Sequence, residues 1–166
     1  MTGARRSCLL VVLVTASATV RLAHAQTPVP AAVPPPVATH VRAERFQEVT
    51  AVRGLPLGVR EALQRVFGST AMAMADPGAP FQATDEVTDP ALPARRLVLA
   101  ACSTDHCVVY YERGGVAHTW RALLFHWTPD VTTVVAGGVA PRGLQTFDDV
   151  RQALLTGGIR AAGRDW

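Results

Sequence analysis

The chain has no Lys, no Asn and a single Ile, Ile159. Arg therefore carries all the fixed positive charge. This skew reads as GC-rich coding, and acids are interspersed among the arginines. A nucleic-acid ligand calls for a clustered basic stripe, which is absent. The chain also lacks a long apolar run. Its uncharged apolar stretch, 8–20, is about 13 residues, well short of the ~20 that span a bilayer as a helix. Chemical motifs are equally scarce. No Gly-x-Ser-x-Gly elbow accompanies the Ser, His and Asp residues, so a hydrolase triad is only a matter of composition. No His-x-His or His/Cys spacing suggests a metal, and Asp76, Asp85, Glu86 and Asp89 fit no calcium loop. No metal and no cofactor are expected.

What is present begins with an export signal. Arg5 and Arg6 precede the apolar stretch, and Ala23-His24-Ala25 offers small residues for a signal peptidase before Gln26. Residues 1–25 are expected to be a cleaved leader, placing the protein in the periplasm or outside the cell with no membrane span after cleavage. Arg5, Arg6 and Arg21 leave with it, and the remaining arginines then match the 13 Asp and Glu, so the mature charge is near zero. Of three cysteines, Cys102 and Cys107 survive cleavage. An even count in an oxidising compartment favours a disulfide.

Residues 26–40 are Pro- and Ala-rich and read as a flexible, extended spacer. A single domain is expected over 41–166. Within it, Val59, Leu63, Val66 and Phe67 recur at helical spacing, between Pro56 and a capping Gly68. A short strand is conceivable at 81–87. From 95 onward the pattern sharpens. The runs 95–102, 107–113, 116–127 and 131–136 are rich in β-formers and separated by short connections, which predicts antiparallel hairpins. Thr146 with Asp149 opens a second helix with a capping box. The expected fold is α+β: an antiparallel meander of four to five strands packed by two helices.

Register then assigns faces. A simple hairpin over 103–106 sets Cys102 opposite Cys107, within disulfide range. A two-residue turn at Gly114-Gly115 sets Tyr111 opposite His118 and Val109 opposite Trp120. One face then carries Val98, Cys102, Cys107, Tyr111, His118, Trp120 and Leu124. Helices are expected on one face, with the other partly open. A one-residue slip would exchange the faces.

Two candidate surfaces follow. Asp105 and His106 sit in the disulfide-closed loop, where a constrained, exposed imidazole could meet a partner with little entropy loss. Tyr111, His118 and Trp120 form an aromatic–imidazole patch in which His118 is a candidate general base. Ordinary turn residues and core packing are the plainer readings of both.

The segment Cys102-Ser103-Thr104-Asp105-His106-Cys107 resembles part of the bacterial inhibitor of vertebrate lysozyme family. That resemblance implies a periplasmic α+β protein whose Cys-x4-Cys loop inserts its His and Asp into a lysozyme cleft. Here Asp105 precedes His106, reversing the family's order, and Ser103-Thr104 replaces the usual Lys-Pro. The stretch from Tyr110 to Trp120 also resembles uncharacterised exported bacterial proteins. The leading expectation is an exported non-catalytic protein that binds a protein or other envelope macromolecule, an inhibitor being one form. The alternatives are a small envelope hydrolase using His118, and an accessory protein that binds a ligand on an open sheet face.

Overall fold

The computed structural model describes residues 28–87, 89–163 and 166. The leader expected at 1–25 lies outside them. Five strands form one antiparallel sheet in the order of the chain: β1 (Gln47–Val49), β2 (Arg95–Cys102), β3 (His106–Arg113), β4 (Thr119–Trp127) and β5 (Thr132–Ala140). Three α-helices accompany it: α1 (Pro35–Ala43), α2 (Leu57–Phe67) and α3 (Phe147–Leu155). The α+β meander is as expected, with five strands and one helix more than the two foreseen. No strand forms at 81–87.

The helices take both faces of the sheet. Val59 and Leu63 of α2 pack with Leu97, Val109, Tyr111, Leu123 and Phe125. Val41 of α1 and Val150 and Leu154 of α3 pack with Val108, Tyr110, Ala122 and Leu124 on the other side. The partly open face expected from the sequence is therefore covered. β3 lies at the centre, and the residues from His106 to Glu112 are all buried.

Local chemistry explains the helix ends. Gly68 closes α2 in the left-handed region at φ 62°, where a Cβ is penalised. Thr146 caps α3 by accepting from the Asp149 amide at 3.2 Å, while Asp149 Oδ2 accepts from the Thr146 amide at 3.1 Å. Asp149 Oδ2 also accepts from the Thr146 hydroxyl at 2.7 Å, and this bond first, with the Thr146 amide second, holds the Asp149 carboxyl below its ordinary range.

The largest departure is at the N-terminal side. Residues 35–43, most of which fall in the stretch read as a spacer, form α1, with a proline in the first turn where no backbone donor is needed. Val29 and Val33 pack on the two cores, and Pro30 accepts from the Gly137 amide at 2.8 Å. The close approach of Arg160 to β5 requires Gly138. A Cβ on Gly138 would lie 2.0 Å from the Arg160 carbonyl oxygen.

Candidate functional site

The β2–β3 hairpin ends in the expected bridge. Cys102 and Cys107 are directly opposed and disulfide-bonded. The turn between them is organised by Ser103. Its amide donates to the His106 carbonyl at 2.7 Å, and its hydroxyl oxygen accepts from the His106 amide at 2.9 Å and the Asp105 amide at 3.3 Å. A serine hydroxyl can offer the backbone these short-range bonds, which is why it suits tight turns. The Asp105 carbonyl accepts from the Trp127 amide at 2.9 Å, tying the turn to β4.

His106 corrects the sequence expectation. It is only 4% exposed and belongs to β3 rather than to the loop. The strand ladder begins at His106, opposite His126, so its side chain turns into the structure. Its Nδ1 meets Glu44 Oε1 at 2.6 Å. Glu44 is the residue that ends α1. The same Oε1 lies 2.8 Å from His40 Nε2, one helical turn back. Glu44 Oε2 accepts from the Ser103 hydroxyl. One carboxylate thus joins two imidazoles and the serine of the turn. Thr104 is exposed and Asp105 half-exposed, with Asp105 Oδ2 3.5 Å from His40 Nε2.

Two clefts meet beside the bridge. One, of about 470 Å³, is lined by Gln47, Arg53, Cys102, Ser103 and Trp127 among others. The second, of about 430 Å³, shares Gln47, Cys102, Ser103 and Trp127 and adds Arg45 and Thr104. The Trp127 indole N–H is buried and has no hydrogen-bond partner among the described residues. His118 lines neither cleft.

The far end of β3 differs from the expected register. Arg113 opposes Thr119, Glu112 opposes Trp120 and Tyr111 opposes Arg121, so the connection runs over five residues, 114–118, instead of two. The segment around Gln82 and Ala83 crosses there. The Gly114 amide donates to the Ala94 carbonyl, and a Cβ on Gly114 would lie 1.8 Å from the Gln82 carbonyl oxygen. The resulting shift of three residues is odd, so β4 exchanges faces. Trp120 and Leu124 lie with Tyr110, and Tyr111 lies on the opposite side. A bulge between Leu97 and Leu99 likewise puts Leu97 with Tyr111, while Val98 packs on the other core.

The proposed patch is accordingly split. His118 stacks on Trp120 with centroids 4.4 Å apart, and Phe81 lies 5.8 Å from His118. His118 Nε2 meets Glu112 Oε2 at 2.9 Å. Glu112 is buried and is also held by Arg96, whose Nε and terminal nitrogen lie 2.6 and 2.5 Å from Oε1. Tyr111 takes no part. Its hydroxyl is fully buried without a hydrogen-bond partner among the described residues, and burial pushes its pKa up against the opposing effect of Arg121, Arg95 and Arg113.

Sequence reasoning missed His40 and Glu44. Their i, i+4 spacing is a helical signal, but Pro and Ala around them masked it. The fold and this site define a class, an α+β domain with a disulfide-capped, carboxylate-braced hairpin tip. Beyond that class the comparisons add no relative: the chain matches no family model, no curated protein and no solved structure.

Proposed function

We propose that this is an exported, non-catalytic protein that binds another envelope macromolecule through the β2–β3 tip and the clefts beside it. The observation that carries the reading is the double fixing of that tip. The bridge closes the turn covalently, and Glu44 binds Ser103 and His106 from a separate helix. A contact surface already held in one shape loses less entropy on association. Thr104 and Asp105 are the contact residues, His106 is a support, and Trp127 supplies an aromatic wall to both clefts. Aromatic anchors in pockets dominate many interfaces. An inhibitory role, as the Cys-x4-Cys resemblance implies, is one form of this reading.

Export itself rests on the leader at 1–25 together with the disulfide, which suits an oxidising compartment. Among the described residues no helix is long and apolar enough to cross a membrane. The test is affinity capture from envelope extract with wild type, Asp105→Arg and Val116→Arg. Val116 is 91% exposed at the other end of β3 and serves as the control. Asp105→Arg should lose a partner that wild type and Val116→Arg both retain. Equal recovery by all three would remove the tip as the contact.

The hydrolase reading keeps one specific support, the His118–Glu112 pair. A carboxylate can orient an imidazole for general-base work. Arg96 already neutralises Glu112, however, and among the described residues no hydroxyl or thiol nucleophile hydrogen-bonds to His118.

A further inference from the structure

The geometry points to a divalent transition-metal site, of the zinc type, formed by His40 Nε2, Glu44 Oε1 and His106 Nδ1. These three atoms all lie within 4.8 Å of one another. Two of the separations are 2.8 and 2.6 Å. A tetrahedral zinc ion with bonds of about 2.0–2.2 Å sets its ligand atoms roughly 3.3–3.5 Å apart. Both are shorter than that value by under an ångström and the third is at most 4.8 Å, so an ion entering among them parts Glu44 from the two imidazoles by about an ångström. The donor set favours the same class. Imidazole nitrogens suit zinc, copper and nickel, whereas calcium and magnesium want an all-oxygen shell.

The surroundings fit a ligand carboxylate. Glu44 Oε2 is held by the Ser103 hydroxyl, the outer contact that orients a metal-binding carboxylate. Asp105 Oδ2, 3.5 Å from His40 Nε2, adds a second negative charge beside the site. Among the described residues, the hydrogen-bond and ion-pair partners of Glu44 are His40, His106 and Ser103, with no guanidinium. The buried glutamate of the sheet, Glu112, has Arg96 on it and so has its cation already. Three protein ligands leave a fourth position for water or for a group from outside. His40 is 57% exposed, which gives the ion a path in. Bound there, the ion would pin the end of α1 to the hairpin tip. This inference is independent of whether the tip has a macromolecular partner.

The experiment is titration of the chelator-stripped, disulfide-intact full chain with Zn²⁺ by calorimetry, with Co²⁺ absorbance as the reporter of tetrahedral nitrogen–oxygen ligation. One ion per chain is expected. His40→Ala and Glu44→Gln should each weaken binding by roughly 10-fold or more, and His118→Ala should leave it unchanged. His106 is buried, so its replacement risks the fold. His40 is exposed, and His40→Ala, checked by circular dichroism, keeps the test decisive. Absence of saturable binding to wild type would overturn the site. So would folded His40→Ala binding as tightly as wild type, or His118→Ala losing as much affinity as His40→Ala.

Discussion

β3 carries a histidine–glutamate pair at each end, and the two are built in opposite ways. At one end His106 meets Glu44 from 62 residues away, across a helix. At the other His118 meets Glu112 from 6 residues away, around a single turn. The near pair is closed by Arg96 and stacked on Trp120, and it is a finished ion-pair network. The distant pair has a second imidazole and a serine where the near pair has a guanidinium. The difference separates a structural use of a buried carboxylate from one open to a further ligand. It also marks which tip is held: the 103–105 turn is bridged and braced, while Val116 at the other tip stands in solvent.

The largest stability effect should come from the finished network. Glu112→Ala strands Arg96 and His118 and should cost about 3 kcal/mol in urea unfolding, the low end for breaking a buried pair because Arg96 is partly exposed. A loss under 1 kcal/mol would mean that this end is no more dependent on its carboxylate than the other. Replacing both Cys102 and Cys107 by Ser should cost about 2 kcal/mol, since the ring they close is short and the entropy it removes is small. The same measurement on protein with the bridge reduced checks that value. Glu44→Gln keeps an acceptor for His106 and should cost about 1 kcal/mol. A loss equal to that of Glu112→Ala would erase the distinction between the two pairs.

The smallest effect concerns the strand between them. Tyr111→Phe removes a buried hydroxyl with no partner and should leave stability unchanged or raise it by up to about 1 kcal/mol. Tyr111 also predicts a pH dependence. Its folded pKa is raised above the unfolded value near 10, chiefly by desolvation. The unfolded chain therefore loses this proton first, and the contribution is intact below about pH 10 and declines as pH rises beyond it. Unfolding between pH 9 and 11 should show that decline in wild type and a smaller one in Tyr111→Phe. Identical slopes would contradict it.

Legibility in the sequence follows the same near–far division. The meander, the α3 capping box and the Cys102–Cys107 pairing depend on neighbouring residues, and alternation and turn chemistry announce them. The β3–β4 register does not. Gly114-Gly115 is a strong two-residue turn signal, but the backbone at Gln82 and Ala83 packs against it and lengthens the connection. That single intrusion moved His118 and Trp120 away from Tyr111. The bulge at Leu97/Leu99 is likewise unmarked by residue type. α1 was hidden because proline and alanine composition resembles a spacer, whereas its prolines occupy the first turn and Val41 is buried. With α1 unread, Glu44 was invisible, and His106 looked exposed for want of its partner.

Amide hydrogen exchange tests the pre-organised tip most directly. Slow exchange is expected at His106 and Trp127, whose amides bond to Ser103 Oγ and the Asp105 carbonyl, against fast exchange at Val116 and Ala117. Glu44→Gln should speed exchange at the first pair and leave the second unchanged. Exchange at His106 as fast as at Val116 in wild type would contradict the claim that this tip is held ready for a partner.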